Sequence, residues 1–329
     1  MNYPGCATQP PRPVFAYQSS TVQIVVVGAG GTGSWLVGHL ARLVWDFNRT
    51  WEQVHDEKPR RASLLIVDHD DVEMGNIRAR QNFCPAEIGH PKAQLLANRL
   101  AFAFGLDENE ISAHVGPFTP SLLSQRWHGL TILVGCVDNA QARQEMAHCL
   151  TNTNTRYGVR QEERPPLTWW VDSGNSLHAG QVLCGNVATV DELRGVLCDP
   201  LCLRLPGPSL VHPELLLPRP DEEVDATARR SCKDLVLAGE PAMQQSRTIN
   251  NHMAALVYGY VEMLLYGGLT TFASYTDNAT FSTRSLETTP ESLSQALGLP
   301  PAFFTTAETL IDEQEGSGEE DLEDEEDDA

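Results

Sequence analysis

The chain reads as an α/β protein with a Rossmann-like, parallel-centred sheet and helices on both faces, extended by further strands and a long crossing loop. Three observations predict it. Short apolar, often β-branched runs (22–27, 63–67, 130–134) alternate with stretches whose apolar residues recur at helical spacing, as in strands buried on both faces between amphipathic helices. A glycine-rich turn, Gly28-Ala29-Gly30-Gly31-Thr32-Gly33, leads from the first run directly into the first helical stretch. Acidic residues follow the second and third runs, where open parallel sheets bind their ligands.

Residues 1–20, rich in Pro, Ser and Gln, predict an irregular arm. The first strand is 22–27. Helix follows at 34–47, with Leu36, Leu40, Leu43, Val44 and Phe47 on one face. The polar stretch 50–61 reads as an inserted loop, and 63–67 as the second strand. Helix is expected at 91–104, opened by Pro91, a residue suited to a first turn. A strand at 111–115, a short helix at 120–126, a strand at 130–134 and a helix at 141–150 come next. Further strands are expected at 168–171 and 181–187, and a Pro- and Gly-rich loop at 195–223. Helix at 242–266 carries a broad apolar face, followed by a strand at 271–275. A capped helix starts at Thr289-Pro290-Glu291 and ends at Gly298. The folded unit is therefore expected over 21–305, with halves at about 21–150 and 151–305.

The 329 residues carry a net charge of −21. Twelve acidic and no basic residues lie in 312–329, which leaves −9 for the rest. Composition predicts 306–329 to be a disordered acidic tail. No basic stripe suits nucleic acid, no apolar run is long enough to span a membrane, and no leader pattern opens the chain. The expected location is the cytoplasm. Eight cysteines are scattered, with Cys198 and Cys202 the only close pair. Paired Cys-x-x-Cys spacing is absent, so zinc is not expected, although Cys184, Cys198, Cys202 and a distant partner remain a combination to check.

Gly28, Gly30 and Gly33 have the spacing of a phosphate-binding turn at a helix N-terminus. Asp68 ends the second strand, placed to bond ribose hydroxyls, with Asp70 and Asp71 nearby. A cation group follows: Arg78, Arg80 and Lys92, with Asn76 and Gln81 among them. Arginine offers a fork to phosphate oxygens, and lysine a point charge. Asp138, just past the strand at 130–134, is a candidate Mg²⁺ ligand. It or Asn139 would alternatively cap the helix that follows.

These residues resemble the adenylating family of ThiF, MoeB and the ubiquitin-activating enzymes. The shared words are Gly28-Ala29-Gly30-Gly31-Thr32-Gly33-Ser34, Val67-Asp68-His69-Asp70-Asp71-Val72-Glu73, Asn76, Arg80-Gln81-Asn82-Phe83, Ile88-Gly89-His90-Pro91-Lys92-Ala93 and Cys136-Val137-Asp138-Asn139. The long link to Asp68 and Thr248-Ile249-Asn250-Asn251 are similar to bacterial operon- and plasmid-encoded members paired with ubiquitin-like proteins. The resemblance implies ATP and Mg²⁺ as cofactors and the C-terminal glycine of a ubiquitin-like carrier as substrate, bound by the half at 151–305. It also implies a homodimer and a downstream conjugating enzyme. Mapped onto this sequence, Gly28, Gly30, Gly31 and Gly33 cradle the nucleotide and Asp68 holds ribose, with Asp70, Gln81 and Asn139 alongside. Asn76 and Arg80 line the phosphates, Lys92 neutralises them, and Asp138 binds Mg²⁺. Arg80 stands four residues after Asn76 where relatives commonly have three, so Arg78 stays a rival. A one-residue bulge would restore Arg80.

Some relatives pass the acyl group to a cysteine before the long helix. Cys232, flanked by Arg229, Arg230 and Lys233, takes that place, and adjacent cations favour thiolate. Cys198 and Cys202 are runners-up, while Cys84 and Cys136 read as packing residues. Four rivals remain: an NAD-dependent oxidoreductase, a sulfur-carrier adenylyltransferase without a thioester step, a scaffold without turnover, and an enzyme dehydrating a tRNA base. The last is disfavoured by the missing basic surface.

Overall fold

The structure, a computed structural model, describes residues 10–16, 19–54, 60–123, 129–152, 167–176, 179–218, 248–277, 279–280 and 282–306. Its strands are β1 (Thr21–Val27), β2 (Arg61–Asp68), β3 (Ile111–Val115), β4 (Leu130–Gly135), β5 (Thr168–Asn175), β6 (Ala179–Gly185), β7 (Thr271–Asp277) and β8 (Ser282–Glu287). They form one sheet in the order β3-β2-β1-β4-β5-β6-β7-β8. The first five are parallel and the last three antiparallel. Between β1 and β4 the order reverses direction, which opens a crevice at the carboxyl ends of those strands.

Helices α1 (Gly31–Val54), α2 (Met74–Arg78), α3 (Lys92–Phe104), α4 (Ala140–Asn152), α5 (Pro208–Val211), α6 (Ile249–Tyr266) and α7 (Pro290–Leu297) cover the sheet and its ends. In β1, Val22, Ile24 and Val26 join one core with Leu36 and Leu40 of α1, Leu96 of α3 and Val257 of α6. Val25 and Val27 point the other way, to Met146 of α4, Trp170 and Leu133. Each fully buried side chain of this size contributes roughly 1.5–3 kcal/mol, so both faces hold the strand in register.

Four expectations need correction. Residues 50–54 are not loop but the last turn of α1: no Pro or Gly lies between Gly38 and Pro59 to break the helix. Upstream, buried Asn48 bonds both N–H and C=O of Ala62, which locks that part of α1 to the start of β2. The helix expected at 120–126 is a single 3-10 turn, Pro120–Leu122, with 124–128 outside the described residues. Within the loop expected at 195–223, short helical turns form at α5 and Pro213–Leu216. Strand β8 was not anticipated, because its sequence STRSLE buries only Leu286 and lacks the alternation of a half-buried strand.

The start of the chain is irregular where described, and it is packed: Val14 donates its N–H to the Leu269 carbonyl, Phe15 to that of Cys202, and Val14 is buried. The long helix is described from Ile249; its expected start at 242, the end of the loop expected at 195–223 and the tail from 307 lie outside the described residues. Among the described residues no helix is long and apolar enough to cross a membrane.

Candidate nucleotide site

The four glycines of the turn have different reasons for being glycine. Gly28 has φ +95, and a Cβ there would lie 2.6 Å from the Cys136 carbonyl oxygen. A Cβ on Gly33 would lie 1.9 Å from the Gly28 carbonyl, and one on Gly31 2.8 Å from Oδ1 of Asn250. These three make room for the protein itself. Gly30 does not: its φ is not positive, and a Cβ would meet only Gln81 Nε2, at 3.9 Å. The space above Gly30 is left open at a helix N-terminus, which is where a phosphate approaches backbone amides. Gly30→Ala is therefore expected to melt within a few degrees of wild type and to lose the stabilisation that ATP gives, whereas Gly33→Ala is expected to fail to fold. A melting series with and without ATP checks both; undiminished ATP protection in Gly30→Ala would remove the phosphate from this space.

Asp68, at the tip of β2, is almost fully buried and accepts bonds from the N–H of Ala29 (2.6 Å) and of Asp70 (2.8 Å). It thus ties the glycine turn to β2. Each carboxylate oxygen keeps a second lone pair for a ribose hydroxyl. Burial raises its pKa, opposed by the nearby Lys92 charge. Lys92, only 3% exposed at the first residue of α3, places Nζ 2.8 Å from Asp70 Oδ2, and its N–H bonds the Asp70 carbonyl. An ammonium has three donors, so this pairing orients Lys92 without exhausting it. Asp70 also meets His69 at 3.3 Å, and Asp68, His69 and Asp70 form a group of potential metal ligands.

The segment between them carries both candidate arginines, Arg78 and Arg80, and both are exposed. Helix α2 closes with the N–H of Arg80 on the Ile77 carbonyl and that of Gln81 on the Asn76 carbonyl, the paired bonds of a Schellman ending. The left-handed position in such an ending is usually glycine; here it is Arg80, with φ +61. This left-handed turn falls where the expected bulge would lie. It brings 80–82 down onto α1: Trp35 Nε1 donates to the Arg80 carbonyl (3.1 Å), Asn82 N–H donates to Ser34 Oγ (3.0 Å), and Asn82 Nδ2 to the Ser34 carbonyl (3.1 Å). Arg80 thus sits on the stretch docked beside the glycine turn, and exposed Arg78 on the last turn of α2. Gln81 carries a buried Oε1 without a partner among the described residues, and its Nε2 is the atom nearest the space at Gly30. Asn76 is buried and accepts the Glu73 N–H at 2.7 Å, closing the start of α2.

Asp138 and Asn139 follow β4, whose register sets Gly135 beside Val27, one residue before the glycine turn. Asn139 is the helix cap, with Oδ1 accepting the Ala142 N–H at 2.8 Å. Asp138 is left exposed in the same connection. The turns after β1, β2 and β4 thus meet at one crevice, bringing together Gly30, Asp68, Lys92 and Asp138.

Sequence reasoning missed what holds this connection. Arg143 of α4 and Asp172 of β5 form a buried ion pair, 2% and 0% exposed, with Arg143 Nε 3.1 and 3.2 Å from the two carboxylate oxygens. Arg143 also donates to the Val137 carbonyl at 2.7 Å, the residue before Asp138. Asp172 lies beyond the apolar run that marked β5, so its alignment with β4 was not readable; Arg143 on an otherwise helical face gave no signal.

The cysteines separate. Cys232 lies outside the described residues. Cys84 is exposed, against the packing role expected of it, because it caps a surface 3-10 turn. Cys136 is half-buried and its thiol is pushed up to about 12, chiefly by burial and next by Asp172. Cys202 is buried, its Sγ on the Arg204 carbonyl, and burial pushes it up to about 12; Cys198 is exposed. Among the described residues, Cys184, Cys198 and Cys202 do not gather as a metal-ligand group.

Comparison with known proteins follows from this geometry. The chain is similar to the crystal structure of PaaA (16% identity, TM-score 0.44, covering 81% of this chain and 64% of that one). It is likewise similar to the crystal structure of E. coli MccB with ATP (13%, TM-score 0.46, covering 81% and 63%). It is 34% identical over 97 residues to the NEDD8-activating enzyme E1 catalytic subunit of Saccharomyces cerevisiae, a match over 30% of this chain and 27% of the yeast protein. The chain thus spans about a quarter of that relative's length and just under two thirds of the two solved structures. The profile of the ThiF family matches residues 15–186, which carry the glycine turn, Asp68, Arg80, Lys92, Asp138 and the Arg143–Asp172 pair, and the chain belongs to that family.

Proposed function

We propose that the protein activates the C-terminal carboxylate of a small ubiquitin-like carrier by ATP-dependent adenylation. The observation that carries this reading is that the open space at Gly30, the Asp68 carboxylate, the buried Lys92 ammonium and the exposed Asp138 carboxylate all lie on connections at the carboxyl ends of β1, β2 and β4, where they would serve as phosphate cradle, ribose acceptor, cation and metal ligand. Similarity to a subunit named for activating NEDD8 supports a protein substrate. In the reaction a carboxylate oxygen attacks the α-phosphorus, the bond from that phosphorus to the bridging oxygen breaks, and pyrophosphate leaves. No protein nucleophile is required. The work is positioning and charge stabilisation: Asp68 orients ribose, the glycine-turn amides and Arg80 hold phosphate oxygens, and Lys92 offsets charge on the leaving group. Asp138 would hold Mg²⁺, which supplies further neutralisation of the phosphates.

Exchange of labelled pyrophosphate into ATP, dependent on a peptide ending in Gly-Gly, tests this step, and absence of any peptide dependence defeats it. A thioester step would follow at Cys232, the carboxylate-derived acyl group passing to its sulfur with release of AMP. Treating the carrier adduct with reductant reads this directly. An adduct that persists unchanged in Cys232→Ala removes Cys232 from the mechanism, and absence of any reductant-sensitive adduct leaves a sulfur-carrier type of adenylation instead. A homodimer belongs to the same reading. Exposed Phe102 and Trp45 on the outer faces of α3 and α1 are an apolar surface for it, and sedimentation as a monomer at micromolar concentration would remove it.

A further inference from the structure

At the edge of the crevice, two asparagines from distant parts of the chain meet beside the glycine turn. Asn175 ends β5, and Asn250 lies in the first turn of α6. Asn175 Nδ2 donates to Asn250 Oδ1 at 2.9 Å and lies 3.4 Å from Thr32 Oγ1. Asn250 rests directly on the N-terminus of α1, where Gly31 has no side chain: a Cβ there would be 2.8 Å from Oδ1 and 3.2 Å from Nδ2. Such a pair uses one donor group and one acceptor of the four that two amides own. Among the described residues nothing takes the other two, an acceptor on Asn175 and a donor on Asn250. Exchanging the O and N of both amides again leaves one donor and one acceptor, with the two residues' roles reversed.

One acceptor and one donor, side by side and uncharged, are the complement of the N–H and C=O of a single extended residue, which point to the same side. They do not complement a phosphate or a free carboxylate, either of which would ask for donors alone. Two residues back on the same face of β5, Ser173 is 5% exposed and its Oγ has no partner, so this seam is short of hydrogen-bonding partners in the protein alone.

We infer that the Asn175–Asn250 pair reads the N–H and C=O of the penultimate residue of the carrier's C-terminal tail, a reading that rests on the adenylation proposed above. Asn250 donates to the tail carbonyl and Asn175 accepts the tail N–H. One residue of extended chain, about 3.5 Å, then carries the terminal carboxylate from Gly31 to the space over Gly30. Selection falls on the backbone, and Asn250 leaves little room at α1 for a side chain on the last residue, which suits glycine.

The probe is a hexapeptide ending in Gly-Gly, with an analogue in which the penultimate residue's N–H is replaced by an ester oxygen. Peptide-dependent pyrophosphate exchange and the melting rise given by MgATP are read together. In wild type the ester analogue is expected to need about 3–10-fold more peptide for half-maximal exchange, the worth of one hydrogen bond. Asn175→Ala is expected to weaken the amide peptide by a similar factor and to be indifferent to the ester. An ester penalty that persists in Asn175→Ala overturns the inference, as does no penalty in wild type. A loss of MgATP protection equal to the loss of peptide response assigns the pair a structural role and also overturns it. MgATP protection without any peptide-dependent exchange in wild type instead defeats the carrier reading, and the inference falls with it.

Discussion

Lys92→Ala is expected to reduce pyrophosphate exchange by about 10²–10³-fold, the scale on which a preorganised charge acts on developing negative charge. MgATP affinity should fall less, by roughly 10–100-fold, since one charge-assisted bond contributes about 1.5–3 kcal/mol to a ground-state complex. The inequality is the content of the prediction. Lys92 is almost fully buried while its partner Asp70 is half exposed, so removing the lysine leaves Asp70 to water and should cost little stability. The loss is therefore expected in exchange rate and MgATP affinity and not in stability, with the melting temperature of the free protein within a few degrees of wild type. Lys92→Arg should not restore activity, because a planar fork does not reproduce a compact ammonium in a buried site. Calorimetric titration with MgATP beside the exchange rate measures the split. Exchange within threefold of wild type would take Lys92 out of the reaction.

Much of this could be read from the chain because its strongest signals are local. A β-branched run followed by glycines, and helical spacing at 34–47 and 91–104, depend on residues close in sequence, and the parallel order of β1, β2 and β4 followed from them. The acid at the tip of β2 was placed by the same logic, although α1 runs several residues further than expected. What stayed hidden is long-range or polar. β8 offers no apolar alternation, and Asn175 and Asn250 are 75 positions apart with no motif between them. The left-handed Arg80 is intermediate: the count from Asn76 showed that a bulge was needed, and only backbone geometry shows where it falls. The Cys232 and acidic-tail expectations lie outside the described residues, so the structure leaves them as sequence readings.

The Arg143–Asp172 pair carries the largest stability effect. Asp172→Leu is expected to destabilise the protein by about 3–5 kcal/mol, because it strands a guanidinium in a site with 2% exposure. For a chain of this size that is a fall in melting temperature on the order of 10 °C. The double variant Arg143→Met with Asp172→Leu should recover most of the loss, since apolar residues of similar volume commonly replace a buried ion pair at little cost. Recovery should not extend to function. The bond from Arg143 to the Val137 carbonyl, 2.7 Å long, is still missing in the double variant, so the turn bearing Asp138 loses its anchor. The expected outcome is a near-native melting curve with pyrophosphate exchange lowered at least about tenfold and a raised Mg²⁺ requirement for the melting shift that ATP gives. Melting with ATP across a Mg²⁺ series reads that second effect without turnover. Full recovery of both stability and Mg²⁺ response would reduce the pair to packing, and the anchoring of Asp138 would have to come from its own connection alone.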